Sequence, residues 1–416
     1  MRAVSDDDAP LLHDVMPWSV RPLRIGRGWP MAPDPATLRD RWALFTAARG
    51  EAERAALLYP TRARGLHSRV AQLPGHRTPT TALAGEDGRC PEPVMIQHGA
   101  HDRQWLIPDH RLIDAARPEL WRVLDDRQIF AVERAYLPEV REPAVAFSAL
   151  LPDGRSPAGR PGRIRPLFRQ PGGLDPNLAP GLVGLLSEQL AADVTAEDVL
   201  AWIAAAARPA SGGCEVPFPT DPGDWRAGLA LGGRLLWLHT RGARLSDPAA
   251  GRDPAGPRLP GGSRPYVRAP LPAAPRQEEL EYDPDGRELQ IGAGRISPVS
   301  PAAWDRTAGG VRVLDAWWER RTAQGTPGSL EALRPPVWTR SCTSDLLEVV
   351  SVLTLLAELD AERDTLARAL SARPGRTLTA TQMRDAGVLP VPAARRRPAS
   401  VLGHREEGPD GQFALV

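Results

Sequence analysis

The sequence contains no lysine, and all 52 of its basic residues are arginine. The absence excludes chemistry that needs an ammonium group: a P-loop phosphate lysine, a Schiff base, or the carboxylate–lysine site common in restriction nucleases. A GC-rich genome, which favours Arg, Ala, Pro and Gly codons, produces the same bias. Any basic site in this protein must therefore be built from guanidinium groups.

Cysteine is scarce as well. Cys90, Cys214 and Cys342 are far apart and form no C-x-x-C pair, so neither a zinc knuckle nor a disulfide framework is supported. The acidic start, SDDDAP, is not a signal peptide, and no apolar run approaches a membrane-spanning length. These absences predict a cytoplasmic protein without a membrane contact.

A strong net charge is also missing. The formal charge is +1 over 416 residues, 42% of which are hydrophobic and 25% charged, as in an ordinary globular protein of two or three domains. Without a bulk field, a site for a polyanion has to be a local patch.

Hydrophobic periodicity predicts an α+β fold with mixed strands and helices and no complete Rossmann methyltransferase domain. The predicted regions are an N-terminal helical and irregular region (1–90), a recognition subdomain of strands followed by helices (91–240), a Pro/Gly/Arg-rich linker or loop (241–277), a hairpin plus long-helix subdomain (278–390) and a tail (391–416).

Several elements are predicted individually. A helix should follow DPAT, with Leu38, Trp42 and Phe45 on one face, and Thr195 with Asp198 should form a capping box. The segments VMIQH, QIFAVE and AVAFSALL are typical of strands, and ELEYDPDGRELQIG of a hairpin with a D-G turn. A long amphipathic helix is expected at 344–370, whereas 152–176 is expected to be a loop.

The stretch GAHDRQWLIPDHRLIDAARPELW, residues 99–121, is rich in chemistry. His101 and Asp102 are adjacent, as in metal phosphohydrolases, but further ligands at suitable spacing are missing. Three readings stay open: ordinary loop contacts, recognition of a polyanion or base, and a metal site. We interpret Arg103, Trp105 and Arg111 as its informative residues, with Asp102 orienting an arginine or forming a turn.

Arginines are concentrated in that stretch and in the Gly/Pro-rich loop after residue 152. Guanidinium groups on a glycine-rich loop can approach phosphates closely and read guanine through a bidentate fork. They can equally be solvated surface groups. The candidates for DNA contact are Arg103, Arg111, Arg117, Arg160, Arg163, Arg165 and Arg169.

Catalytic and cofactor motifs are missing. The one Pro-Pro pair follows Arg334 rather than an acidic or amide residue, and the glycine pairs lack Rossmann or P-loop spacing, so independent methyl transfer is not supported. There is no G-x-S-x-G elbow, and His239, at a predicted helix end, is expected to cap the last carbonyls.

The order of segments resembles the C-terminal specificity (target-recognition) region of type ISP restriction-modification enzymes, a form often described as an actinobacterial DNA methyltransferase. The matching stretches run collinearly over nearly the whole chain: LLHDVMPWSVRPLRIGRGWPMAPDPATLRDRW, HDRQWLIPDHRLIDAARPELW, NLAPGLVGLL, VTAEDVLAWIAAAA, LGGRLLWLHTRGARLSDPAAGR, LEYDPDGRELQIGAGRISPVSPAAWD, DLLEVVSVLTLLAELD and DAGVLPVPAARRRP.

The resemblance implies a module that reads double-stranded DNA and catalyses nothing alone. It implies S-adenosylmethionine and ATP only for upstream helicase-like nuclease and adenine methyltransferase parts, here missing or on another polypeptide; the chain itself is expected to bind no cofactor or metal. The alternatives are a regulatory subunit that docks a separate methyltransferase or helicase polypeptide through the 344–370 helix and the Trp-rich N-terminal segment, a degenerate remnant, and a metallohydrolase at His101 and Asp102.

Overall fold

The fold mixes α-helices with small antiparallel sheets, which confirms the predicted α+β class. The computed structural model describes residues 9–134, 142–155, 162–210, 213–243, 263–372 and 375–399. Within them the helices are α1 (Leu12–Val15), α2 (Pro35–Ala47), α3 (Glu51–Leu58), α4 (Pro118–Arg122), α5 (Leu182–Leu190), α6 (Ala196–Ala206), α7 (Pro222–His239), α8 (Pro301–Trp304), α9 (Val313–Thr322), α10 (Arg340–Ser371) and α11 (Ala380–Asp385).

Every strand pair within the described ranges is antiparallel, unlike the parallel sheet of a Rossmann methyltransferase domain. The sheets, in spatial order, are β1–β3–β2 (Met31–Ala32, Asp102–Leu106, Val94–His98), β5–β4–β6 (Val145–Ser148, Phe130–Glu133, Arg163–Pro166), β7–β8 (Phe168–Gln170, Leu174–Pro176), β10–β9 (Gly213–Glu215, Arg208–Ala210), β11–β14–β13–β12 (Tyr266–Ala269, Gly294–Ser297, Glu288–Ile291, Leu280–Asp283) and β15–β16 (Thr307–Ala308, Val311–Arg312).

Local signals set the helix starts. Asp34 caps α2 by accepting a hydrogen bond from the Thr37 amide, and the predicted face of Leu38, Trp42 and Phe45 is buried. The capping box at Thr195 is present as predicted. The hairpin formed by β12 and β13 is also confirmed.

The long helix α10 connects two hydrophobic cores. Its 32 residues span about 48 Å. Buried residues of its N-terminal part, between Leu346 and Leu353, pack with β13, β14 and α9. Buried residues from Val352 to Leu370, on a face that begins where the first one ends, pack with α5, α6, α7 and α11. None of the helices in the described ranges combines the length and apolar character required to cross a bilayer.

Some segments expected to be irregular form strands. β3 lies inside the 99–121 stretch, β6 to β8 lie inside the expected loop 152–176, and β11 lies within the expected linker. Most of that linker, residues 244–262, is outside the described residues. The start of the expected tail packs back on the body, where Arg395 and Arg396 contact Asp175 and Asp14. The domain boundaries themselves stay predictions.

The contact between α6 and α7 depends on a glycine. A Cβ at Gly232 would lie 1.8 Å from the Ala201 carbonyl oxygen, whereas a Cβ at Gly233 would meet nothing within 4 Å. We predict that Gly232→Ala lowers the free energy of unfolding by about 1–3 kcal/mol through overpacking. Gly233→Ala should be neutral or stabilising by up to about 1 kcal/mol, because alanine has the higher helix propensity.

Urea denaturation of both variants against the parent protein measures these changes. Equal effects of the two substitutions would contradict the close approach of α6 and α7.

Candidate nucleic-acid interface

Asp102 is the most constrained group of the 99–121 stretch. Its side chain is fully buried on β3 and accepts hydrogen bonds from Arg320 Nε at 2.5 Å and Arg321 at 2.9 Å, both on α9. Burial alone would raise the pKa of Asp102, but the charges of Arg321 and Arg320 outweigh it and lower the pKa to about 2. The expectation that Asp102 orients an arginine is confirmed.

A charge network extends from Asp102 and its two arginines to α10. Arg321 also contacts Asp345 at 2.9 Å, and Asp345 accepts from Arg241 at 2.6 Å. Arg241 reaches Glu348, which in turn contacts Arg103 at 3.3 Å. The network joins β3, α9, α10 and the end of α7, so Arg103 is a half-buried member of an internal cluster.

His101 and His239 form an adjoining imidazole pair. Their rings stack with centroids 5.2 Å apart. At the end of α7 the Thr240 hydroxyl, rather than the expected His239, is seen to donate to a carbonyl of the last turn, that of Leu236 at 2.8 Å. Burial, with the nearby charges of Arg306 and Arg134, lowers the pKa of His239 to about 3, and burial next to His239 lowers the pKa of His101 as well. Across the described ranges, no group of three His, Cys, Asp or Glu residues could hold a metal ion.

Three of the arginines that were predicted to contact DNA form ion pairs inside the protein. Arg111 is fully buried. Its Nε and Nη2 both donate hydrogen bonds to the Asp109 carboxylate, and its Nη1 lies 2.7 Å from the Glu86 carboxylate. Arg165 is buried against Glu133 and the Met16 carbonyl. Arg169 bonds Asp175 and the Arg397 carbonyl. Because their guanidinium groups are already engaged inside the protein, they offer no surface to DNA in this structure.

The remaining predicted arginines are more accessible. Arg163 is exposed on β6, and Arg117 is half-buried at the start of α4, where its Nε donates to the Pro22 carbonyl at 3.2 Å. Arg160 lies outside the described residues. Trp105 is half-buried against the core that contains α2. Contact between DNA and any of the seven arginines stays a prediction.

Sequence reasoning missed a second group of arginines. Residues 15–33 and 59–85 contain no Asp or Glu but carry three and four arginines respectively. The structure brings both segments against residues 110–121. Their exposed members form what we call the arginine surface: Arg21, Arg24, Arg62, Arg69 and Arg77. The absence of Asp and Glu from these two segments was the sequence signal that could have identified this surface.

The loop that carries three of these arginines is held by polar contacts rather than by strands or helices. Thr61 Oγ1 donates to Asp114 at 2.6 Å, and Arg64 Nε donates to the His110 carbonyl at 3.2 Å. The imidazole of His110 bonds the Ala71 carbonyl at 2.9 Å, and His76 packs edge-on against Trp121. The 99–121 stretch thus holds in place the loop that carries Arg62, Arg69 and Arg77.

Comparison with protein families identifies the chain. The model of the Type ISP C-terminal specificity domain matches residues 14–348, and the chain belongs to this family. This confirms the resemblance seen in the order of the segments. Comparison with curated proteins gives no match.

Solved structures share the fold at low sequence identity. A DrdV–DNA complex matches with a TM-score of 0.54 at 12% identity, over 91% of this chain and 39% of that chain. The ATP-dependent Type ISP restriction-modification enzyme LlaBIII bound to DNA matches with a TM-score of 0.54 at 10% identity, over 86% of this chain and 23% of that chain. A nuclease-deletion mutant of the Type ISP restriction-modification enzyme LlaGI in complex with a DNA substrate mimic matches with a TM-score of 0.51 at 10% identity, over 88% of this chain and 28% of that chain. This chain therefore spans less than two-fifths of each neighbour.

Removing the Asp102 charge should destabilise the fold. Asp102→Asn leaves Arg320 and Arg321 facing a neutral group inside the protein, and we expect a loss of about 3–5 kcal/mol in the free energy of unfolding. Glu362→Gln, which removes the charge from an exposed pair with Arg234, should cost at most about 1 kcal/mol. Chemical denaturation compares the two, and similar losses would contradict the role assigned to Asp102.

The imidazole pair should make stability depend on pH. Below pH 6.5 the unfolded chain protonates His239, whereas the folded chain, with a pKa of about 3, does not. The stability contributed by the neutral ring is therefore complete above pH 6.5 and is lost progressively as pH falls toward 3. His239 alone should account for about 2 kcal/mol between pH 7 and pH 5.

Denaturation at several pH values tests this dependence. His239→Gln should show a shallower fall in stability between pH 7 and pH 5 than the parent protein. The exposed residue His67 provides a control substitution, His67→Gln, that leaves the buried imidazole pair intact. A parent-like slope in His239→Gln would show that His239 is not the group responsible.

Proposed function

We propose that this chain is the DNA-sequence recognition module of a type ISP-like restriction-modification system. The observation that carries the proposal is the arginine surface: five exposed arginines on two acid-free segments that both contact residues 110–121. One of them, Arg24, also lies 3.7 Å from the Asp114 carboxylate. Membership of the specificity-domain family and the fold shared with three DNA-bound structures support it.

The arginine surface suits the phosphate backbone. Exposed guanidinium groups neutralise phosphates and release counterions, and a guanidinium that reaches the major groove can also pair with guanine O6 and N7. Because contacts to Asp114 and His110 already order the loop, less conformational entropy is lost on binding than with a free loop. Arg117 and Arg163 remain candidates for contact with DNA.

The alternative function, docking of a separate methyltransferase or helicase polypeptide, was expected to use the 344–370 helix and the Trp-rich N-terminal segment, and both are packed inside this chain. The apolar stripe of α10 is covered by the chain's own cores, and Trp18 and Trp29 are buried. A partner bound through these residues would have to displace internal packing. We therefore propose that the methyltransferase and helicase-like parts, with their S-adenosylmethionine and ATP, are joined to this module elsewhere; nothing in the described residues specifies that contact.

The first test is DNA binding at several salt concentrations. The triple variant Arg62→Ala/Arg69→Ala/Arg77→Ala should bind duplex DNA more weakly. Each lost phosphate contact should reduce the slope of log K against log salt by about 0.9. Fluorescence anisotropy between 50 and 200 mM salt, roughly the range over which such contacts are screened, measures both quantities.

The matched control also removes three exposed arginines. Arg226, Arg287 and Arg340 lie on α7, in the β12–β13 turn and at the start of α10. Their triple alanine variant has the same net charge and should keep the parent affinity and slope. If the two triple variants behave alike, binding does not depend on the arginine surface.

A further inference from the structure

Tyr59 is placed unusually for a large aromatic residue. It follows α3 in the left-handed backbone region, with φ of 53°, a conformation that favours glycine and is strained for a bulky side chain. Its side chain gains little packing in return: at 71% exposure it is the most exposed of the large hydrophobic residues in the described ranges. An aromatic ring held open to solvent by a strained backbone indicates a contact that this chain does not itself supply.

The ring borders an open groove. The groove has a volume of about 570 Å³, within the range of small-ligand sites, and lies between residues 28–59 and 320–334. Its lining includes Arg41, Arg320 and Arg334, together with Gln104 and the hydroxyl groups of Thr326 and Ser329.

The acidic residue in the lining is already engaged. Glu331 accepts a hydrogen bond from the Trp29 amide at 2.9 Å. Arg41 is anchored by the Trp29, Met31 and Leu333 carbonyls. The lining thus carries three guanidinium groups and one carboxylate, and Glu331 and Asp34 both act on the charge of Arg41. Arg320 is also paired with Asp102, so Arg334 is the lining arginine that we assign to a phosphate.

The groove adjoins the start of the loop that carries Arg62, Arg69 and Arg77. Gly28 lines the groove, and its neighbour Arg27 donates to Thr61 and to the Arg64 carbonyl at the base of the arginine-bearing loop. Tyr59 itself directly precedes that loop. A polyanion bound at the start of this loop, near Arg62, would therefore lie close to the ring.

We infer that Tyr59 stacks on an unpaired nucleobase displaced from the DNA helix, with the groove receiving that nucleotide. The inference rests on the proposed function. An exposed aromatic ring stacks on any base, and the neighbouring guanidinium groups suit the flanking phosphates. Displacing the base costs least where pairing is already absent, so a duplex with an unpaired base should be preferred.

The experiment uses the full chain and two DNA probes: a labelled duplex, and the same duplex with a single-nucleotide bulge. Fluorescence anisotropy should show that the parent protein prefers the bulged duplex by about 5-fold or more. Tyr59→Ala should lose this preference without changing the salt slope, whereas Tyr59→Phe, which keeps the ring, should retain it.

Controls separate folding and surface effects from stacking. Tyr266→Ala removes another exposed tyrosine, located on β11, and should leave the preference intact. Tyr59→Ala should keep the parent melting temperature, since so little of this side chain is packed.

The outcomes distinguish the two proposals. Equal affinity of the parent for both probes, or a preference that survives in Tyr59→Ala, overturns the stacking inference and leaves the proposed function standing. Failure of the parent to bind either probe overturns both.

Discussion

The architecture depends on a buried carboxylate, Asp102, held by two arginines. A charge with no exposed surface is tolerable only when it is paired and hydrogen-bonded, and both oxygens of Asp102 are engaged by Arg320 and Arg321. Through Asp345 the same cluster reaches α10, which runs through two hydrophobic cores. One ion cluster thus sets the position of the β1–β3–β2 sheet relative to the helical part of the molecule.

The lysine-free composition has a structural counterpart. Arg41 bonds several carbonyls at once, and Arg111 pairs with two carboxylates while it also donates to the Thr81 carbonyl. A lysine ammonium has three donors and no fixed fork, so it could not hold the same sets of acceptors. Arginine therefore serves here as an internal clamp as well as a surface cation, and its role at a given position depends on burial.

This double use explains why the arginines that were predicted to contact DNA differ so much in their surroundings. Arg111, Arg165 and Arg169 belong to internal ion pairs, whereas the arginine surface comes from acid-free segments that share no helical or strand periodicity. The 99–121 stretch contributes by holding that surface in place. The residues of this stretch that resembled a reactive site in the sequence therefore serve mainly to position the arginine surface.

By itself, the sequence determined the family, the α+β class and the elements with strong local signals, such as the Asp34 cap, the Thr195 capping box and the β12–β13 hairpin. These signals depend on neighbouring residues only. The tertiary structure decided which charges are buried and that the DRQWL segment is a strand. Its inward positions are Asp102, Gln104 and Leu106. The charge of Asp102 becomes suitable for a core only when Arg320 and Arg321, more than two hundred residues later, supply the compensating charge.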